Sequence, residues 1–384
     1  MSQIALVKPS YEVVILEEAN TDNEILLAEK AYWPIWMPEG KGLVVSQVDS
    51  TAESSAIEMF NSSGTYIRNL FQTSNGVQAV IAPEVPHFCL PSPTGELLAI
   101  IAPGKAGLTL YITETDGLII GDPVLSGAPL FISWSLDGKK LAIHSGINLS
   151  ILEFKDGRAS IPISADARGF RVAAWNRQGD LVFAEPVDAH AESVSIRVWA
   201  KENPKIETLC EVEGGVAFSF RPSTEELNFA RTRDPDTGVF DSIWKLDLAN
   251  KNSDAEKWID GPISSFFWSP DGEKLGVIRP ASAGSLRYVI NAFDRKGGLL
   301  GATEPLTPST EMQTMFAFFD QYGLAHDIWS PDSDNLLVSG RLSTEGPAPA
   351  FFGTPKDGIF TWTPERFSPF KRIAAGRFAC YANG

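Results

Sequence analysis

The sequence predicts an all-β chain that folds as a single closed β-propeller over residues 1–384. Three observations predict this fold. One aromatic turn motif recurs along the chain, each copy is followed by short apolar segments rich in β-formers, and the two chain ends supply complementary parts of one further copy. A four-stranded sheet at each copy matches a propeller blade. Because each blade extends the same core, this length does not require separate domains.

The recurring motif is a tryptophan followed by a Pro-Asp-Gly turn, and Trp268-Ser269-Pro270-Asp271-Gly272 is its clearest copy. Proline restricts φ, aspartate bonds its own backbone, and glycine accepts a positive φ, so the motif predicts a tight turn after an inner strand. Seven internal copies have a residue at the position of this tryptophan, called the aromatic position even where a proline occupies it. These residues are Trp36, Pro91, Trp134, Trp175, Phe220, Trp268 and Trp329. Their intervals are 55, 43, 41, 45, 48 and 61 residues, which predicts one blade per interval.

Apolar β-rich segments follow each turn, as in residues 141–143, 149–154 and 160–163 after Trp134. Three such segments together with the strand before the turn make a four-stranded antiparallel sheet. No long helical periodicity competes with this interpretation, and the frequent Gly and Pro are typical of an all-β chain.

The chain ends predict how the ring closes. Tyr381 occupies the tryptophan position of a truncated copy, followed by Asn383-Gly384 at the turn. The N-terminus supplies three apolar segments that lack an inner strand. We therefore expect a shared blade from residues 1–30 and 376–384, which removes open sheet edges. Eight blades of 48 residues on average result. Seven blades are the alternative, if one weak copy is not a blade.

The motif resembles the WD40-like (PD40) repeat of the TolB-like propeller family, which also occurs in the propellers of prolyl-oligopeptidase-type peptidases. The resemblance covers essentially the whole chain. It implies a non-catalytic scaffold that binds proteins or peptides, as TolB-like relatives do. No Gly-x-Ser-x-Gly elbow and no hydrolase domain follow, so the resemblance does not extend to peptidase activity.

The composition argues against several classes of partner. The chain carries 32 Lys and Arg against 48 Asp and Glu, a net charge of −16, and no basic run exceeds two residues. Nucleic acid and anionic membranes are therefore not expected as partners. Cys89, Cys210 and Cys380 form no disulfide framework, and the four histidines have no metal-site spacing, so we expect no metal and no cofactor. The first residues do not read as a signal peptide, which predicts a cytoplasmic protein, here expected to be a monomer.

The most unusual segment is 315–329, which ends the longest interval and is rich in aromatic residues. It connects an outer strand to the next inner strand, at the face where a propeller channel opens. The candidate site residues of this segment are Phe319, Asp320, Gln321, Tyr322, His326 and Asp327. An Asp–His pair beside a tyrosine suits acid–base chemistry or a polar binding surface. In the alternative, Phe316 and its neighbours plug the channel, and the polar groups satisfy nearby backbone.

A second group of candidates enters the inner strands a few residues before the aromatic positions. Trp33, His87, Arg171 and Arg377 are predicted to line one rim of the channel and bind the same ligand. Two arginines at a channel mouth suit an anionic group. The alternative is that each arginine pairs with a carboxylate of a neighbouring blade.

Two functions compete. The first is a non-catalytic scaffold that binds a protein or peptide partner, or a small organic ligand in the central channel. The second is a small-molecule enzyme of lyase, cyclase or hydrolase type, with Asp320, Tyr322 and His326 as catalytic candidates. The sequence favours the first, because it contains no convincing catalytic constellation.

Overall fold

The computed structural model describes residues 2–49, 54–73, 81–82, 84–104, 107–116, 123–154, 158–164, 166–188, 192–201, 205–234, 237–250, 253–342, 357–366 and 368–382. Within these ranges the chain is all-β, with antiparallel strands and only short helices, which confirms the predicted all-β class. In the same ranges, no helix has the length and apolar character needed to cross a membrane.

Most strands group into four-stranded meanders. The strands in chain order are β1 (Gln3–Val7), β2 (Val13–Glu17), β3 (Asn20–Ala28), β4 (Ala31–Met37), β5 (Gly42–Asp49), β6 (Ser54–Phe60), β7 (Tyr66–Thr73), β8 (Phe88–Pro91), β9 (Leu97–Gly104), β10 (Gly107–Glu114), β11 (Leu125–Gly127), β12 (Leu130–Trp134), β13 (Lys140–Ser145), β14 (Asn148–Phe154), β15 (Arg158–Ser164), β16 (Ala174–Trp175), β17 (Leu181–Pro186), β18 (Ser193–Trp199), β19 (Ile206–Glu213), β20 (Gly215–Phe220), β21 (Glu226–Thr232), β22 (Phe240–Asp247), β23 (Glu256–Ile263), β24 (Ser265–Trp268), β25 (Lys274–Pro280), β26 (Tyr288–Asp294), β27 (Leu299–Ala302), β28 (Leu306–Pro308), β29 (Leu336–Leu342), β30 (Gly358–Trp362), β31 (Lys371–Ala375) and β32 (Phe378–Tyr381). The helices are a 3₁₀ turn (Pro38–Gly40), α1 (Thr310–Ala317) and α2 (Phe319–Tyr322).

Five sheets are consecutive meanders, β4–β7, β8–β11, β12–β15, β16–β19 and β20–β23. A sixth sheet has the order β3-β2-β1-β32 and so joins the two ends of the chain. In it Ile4 lies opposite Tyr381 and Val7 lies opposite Phe378. The predicted turn residues Asn383-Gly384 lie outside the described residues.

The remaining strands, β24–β31, form one eight-stranded sheet rather than two separate meanders. The short strand β28 causes this difference, because Leu306 pairs with Tyr288 of β26 and also with Leu342 of β29. Trp329 makes only an isolated bridge, to Leu336 of β29. The 61-residue interval thus contains an extra strand and two helices that the turn motif did not predict.

The turn motif folds as its residues predict. In the clearest copy, Ser269 Oγ donates to Asp271 Oδ1 over 2.6 Å, and Glu273 N donates to the same oxygen over 2.9 Å. Gly272 has φ +68°, a backbone conformation that L side chains rarely adopt. The turn therefore reverses the chain and starts the second strand of the sheet.

The motif tryptophans join neighbouring sheets. In four copies the indole Nε1 donates to the backbone carbonyl just before the aromatic position of an adjacent sheet. The pairs are Trp134 with Leu90 (3.0 Å), Trp175 with Ser133 (3.1 Å), Trp329 with Phe267 (3.0 Å) and Trp36 with Cys380 (3.4 Å). A buried indole N–H needs an acceptor, and the regular spacing of the motif provides one.

Candidate functional site

The insert formed by α1, α2 and the residues up to Trp329 lies between the inner strands. Ser309 caps α1, its Oγ accepting from Met312 N over 3.2 Å, and α1 buries Met312, Met315 and Phe316. All four residues of α2 are buried, and α2 contacts β12, β20 and β24. The last part of the longest interval is therefore an insert that packs against the first strands of three sheets.

Phe319 is the main apolar contact of α2. Its ring lies 4.9 Å from the ring of Phe266 and 5.9 Å from that of Phe240, measured between centroids. Phe316 is also buried, whereas Phe318 is 37% exposed. Phe316 and Phe319 thus pack into the fold, whereas Phe318 lies at its surface.

Arg171, which lies just before β16, forms an ion pair with Asp320 of the insert. Arg171 Nη2 lies 2.8 Å from Asp320 Oδ1, and its Nε donates to Oδ2 over 3.1 Å. The same guanidinium donates to the Ala317 carbonyl over 2.5 Å and lies 5.2 Å from the Phe318 ring. The carboxylate that neutralises Arg171 therefore comes from the insert rather than from a neighbouring sheet.

Gln321 binds the backbone of β12. Its Oε1 accepts from Ile132 N over 2.8 Å, and its Nε2 donates to Ile132 O over 3.0 Å. Both polar atoms of the buried amide are satisfied, as is the inner edge of this strand. Gln321 therefore holds the insert in place.

Tyr322 and His326 lie in an aromatic cluster with Trp33. The Trp33 ring is 5.1 Å from that of Tyr322, 4.9 Å from that of His326 and 4.5 Å from that of Phe378. Trp33 has φ +53°, a strained backbone conformation for a bulky residue. The backbone of β4 is therefore strained at the residue whose indole contacts the insert.

Burial sets the protonation of this cluster. It lowers the pKa of His326 to about 4, although the carbonyls of Tyr322 and Pro34 favour the imidazolium, so His326 is neutral at pH 7. Burial also raises the pKa of the Tyr322 hydroxyl far above its usual range. Among the described residues, no hydrogen bond links the side chains of Asp320, Tyr322 and His326 to one another.

Arg377 and His87 lie apart from these groups. Arg377 Nε donates to Glu311 Oε1 of α1 over 2.6 Å, and the guanidinium also pairs with Glu84 over 3.3 Å. His87 bonds Ser46 Oγ over 3.2 Å and Ser55 Oγ over 3.0 Å, and burial lowers its pKa to about 4. The structure therefore places the four predicted rim residues in four different local environments.

A cavity of about 640 Å³ opens beside the insert, at the turn end of the inner strands. Aromatic and small apolar residues make up most of its wall. The lining residues include Trp134, Val172, Ala173, Ala174, Trp175, Phe218, Phe220, Phe266, Phe267, Trp268, Phe319, Leu324, Ile328, Trp329 and Ala382. Its titratable lining residues are Asp320, His326 and Asp327, and no lysine or arginine is among the described residues that line it. These walls were not predicted from the sequence, although several of the residues stand at the regular aromatic positions of the motif.

Asp327 is the second acidic residue that lines this cavity. Its backbone carbonyl accepts from Tyr381 N over 2.9 Å, which anchors it to β32. Among the described residues, no hydrogen bond or ion pair reaches its carboxylate. Burial raises the pKa of Asp327 to about 6. The cavity thus holds a carboxyl group that titrates close to neutral pH.

We expect Asp327→Asn to stabilise the protein by on the order of 1 kcal/mol at pH 8 and to have no effect below pH 4. The folded-state pKa lies above the ordinary value, so stability from this group is present at low pH and is lost as pH rises through 6. The measurement is urea unfolding of both proteins from pH 4 to 8. The Cys380 thiol, which interacts electrostatically with Asp327, is present in both proteins. Asp22→Asn, an exposed control, should show no such trend, and a pH-independent difference for Asp327→Asn would contradict the raised pKa.

No family model matches the chain, and no curated protein matches it significantly. Solved structures do match. The dihydro-heme d1 dehydrogenase NirN in complex with DHE is 10% identical, with a TM-score of 0.58 over 98% of this chain and 74% of that chain. A eukaryotic initiation factor is 13% identical, with a TM-score of 0.57 over 100% and 98%. TolB from Acinetobacter baumannii is 15% identical, with a TM-score of 0.41 over 88% and 82%. At these identities the likeness to the dehydrogenase and the initiation factor shows the fold alone, and together with the antiparallel four-stranded sheets it supports an all-β fold of the β-propeller class.

Proposed function

We propose that this chain is a non-catalytic β-propeller that binds a small organic ligand in the cavity beside the insert. The observation that carries the proposal is the cavity itself. Its volume of about 640 Å³ is within the usual range for small-molecule sites, and its largely apolar wall includes many aromatic residues and a few polar groups.

The engagement of the catalytic candidates supports a binding role over an enzymatic one. Asp320 is neutralised by Arg171, and Tyr322 lies edge-on to Trp33 and Phe88. An acid–base pair must reach a common substrate atom within hydrogen-bond distance. In this proposal Asp320 and Tyr322 hold the insert in place, and the insert forms one wall of the binding site.

We also propose that the sheets close into a ring of eight blades, with β24–β27 and β29–β31 counted as two blades. The bond from Trp36 Nε1 to Cys380 O supports closure, because it repeats the contact made by the other motif tryptophans. Tyr381 then takes the aromatic position of the eighth blade. The ring makes the cavity rigid, since every wall is tied to its neighbours.

The proposed function predicts that filling the cavity abolishes ligand binding. Ala174 lines the cavity on β16, and Ala174→Trp would occupy much of the free volume. A fragment screen by saturation-transfer NMR should find aromatic fragments that bind the wild type and lose at least about tenfold in affinity to this variant.

Leu286→Trp is the matched control, because Leu286 is 71% exposed and does not line the cavity. It should bind the fragments as the wild type does. Leu324→Trp, at a rim position that is 49% exposed, gives a second blocked variant with little risk to folding. Binding that survives both cavity variants would contradict the proposal, as would a screen without a single hit.

An enzyme is the second candidate function, and Asp327 is the observation that favours it. A carboxyl group with a pKa of about 6 in an apolar cavity is suited to proton transfer near neutral pH. Incubation with a metabolite extract distinguishes the two functions. Product formation that stops in Asp327→Asn supports an enzyme, and unchanged metabolites support a binding protein.

A further inference from the structure

The charged residues that line the cavity are all acidic. Two acidic residues line it, and no described lining residue is basic. His326 adds no positive charge, because burial keeps its imidazole neutral at pH 7. Asp320 is balanced by Arg171, which lies outside the lining. The cavity therefore retains the uncompensated charge of Asp327.

The position of Asp327 is fixed by the backbone on both sides. Its carbonyl accepts from Tyr381 N over 2.9 Å, and the next carbonyl, of Ile328, accepts from Leu337 N over 2.7 Å. The Tyr381 hydroxyl in turn donates to Glu18 over 2.8 Å. These bonds tie the backbone at Asp327 to β32 and β29, which fixes the place of this residue in the cavity wall.

An unpaired carboxylate in an apolar wall is costly, and proteins normally neutralise it or provide donors. Here the described residues provide none. The same cavity is also lined by aromatic side chains such as Trp175, Phe220 and Trp268. Aromatic rings bind cations on their faces and also pack against apolar groups. Both the acid and the aromatic side chains therefore favour a ligand with a positive charge. An anionic ligand would meet a like charge and no compensating base.

We propose that the ligand of this cavity is an organic cation, an ammonium group on an apolar or aromatic skeleton, that pairs with Asp327. This inference rests on the proposed ligand-binding function and specifies its chemistry. The cation supplies the missing charge, and the skeleton covers the aromatic wall. Asp327 is then the residue that determines specificity.

The test measures how three phenylalkyl probes of similar size bind to the full chain at pH 7.5. These are 2-phenylethylammonium, its neutral analogue 2-phenylethanol and the anion 3-phenylpropionate. By isothermal titration calorimetry or saturation-transfer NMR we expect the ammonium to bind at least about tenfold more tightly than the alcohol, because a hydrogen bond to a charged group replaces a neutral one. The anion should not bind measurably.

Asp327→Asn should reduce ammonium affinity by about tenfold and leave the affinity for 2-phenylethanol unchanged. Asp22→Asn makes the same charge change at an exposed position on β3 and should leave all affinities unchanged. If the alcohol or the anion binds the wild type as tightly as the ammonium, the binding function stands and the cation assignment is overturned. If no probe binds, the assignment is overturned as well, and the fragment screen with Ala174→Trp decides the binding function separately.

Discussion

Replacing Arg171 with methionine is expected to lower the free energy of unfolding by about 3–5 kcal/mol. The change leaves Asp320, whose side chain is fully buried, without its guanidinium partner, and it frees the Ala317 carbonyl of the insert. A buried charge that loses its partner costs far more than the pair itself contributes. Urea or thermal unfolding monitored by circular dichroism measures the loss.

Two further variants make this prediction specific. Arg168→Met breaks the ion pair between Arg168 and Asp166, whose side chains are each nearly half exposed. It should lower the free energy of unfolding by less than about 1 kcal/mol. The double variant Arg171→Met with Asp320→Asn should recover part of the lost stability, because no buried charge is then left alone. A cost for Arg171→Met no larger than that of Arg168→Met would mean that the pair does not hold the insert.

Replacing Tyr381 with alanine is expected to cost about 3–5 kcal/mol. Tyr381 is fully buried in β32, where it lies opposite Ile4 of the first strand. The truncation leaves a cavity between the two ends of the chain and removes the hydroxyl bond to Glu18. Unfolding of the variant by urea measures the cost and tests whether the last strand carries the proposed ring closure.

Tyr381→Phe removes the hydroxyl group and keeps the ring, so it separates their two contributions to stability. It should cost about 1–3 kcal/mol, because Glu18 loses one donor while the apolar volume is kept. Tyr66→Ala is the exposed control, since Tyr66 is 51% exposed on β7, and it should change stability by less than about 1 kcal/mol. A Tyr381→Ala protein as stable as this control would refute closure through β32.

Asp327 has opposite effects on stability and on the proposed function. Its unpaired carboxylate destabilises the folded protein above pH 6, yet it supplies the charge that the proposed ligand requires. Such a cost at a binding residue is common, because sites need groups that the fold alone would not favour. The unfolding and calorimetric experiments on Asp327→Asn should therefore show a more stable protein that binds cations less well.

Much of the fold could be predicted from local sequence. The Trp-Ser-Pro-Asp-Gly turn has its own chemistry, as the bonds of Ser269 and Asp271 show, so each copy indicates a hairpin without reference to the rest of the chain. The match between Tyr381 and the motif tryptophans also follows from the repeat. The strand β28 could not be predicted, because its three residues pair with two strands that only the tertiary arrangement brings near.

The candidate site was predicted less completely. Segment 315–329 was recognised from its length and aromatic content, and it does lie between the inner strands. The pairing of Asp320 with Arg171, 149 residues apart, has no local signal. The separation of His87 and Arg377 from the cavity has none either, since equivalent repeat positions point to different neighbours where the insert breaks the symmetry.

The all-β class, the repeated turn and the segment most different from the repeat could be predicted from the sequence alone, because each rests on interactions within a few residues. Which acid is neutralised by a partner depends on the tertiary structure. Asp320 and Asp327 are seven residues apart and alike in sequence, but one faces Arg171 and the other faces an apolar cavity. Charge compensation depends on what lies opposite a side chain, and the packing of distant strands sets that.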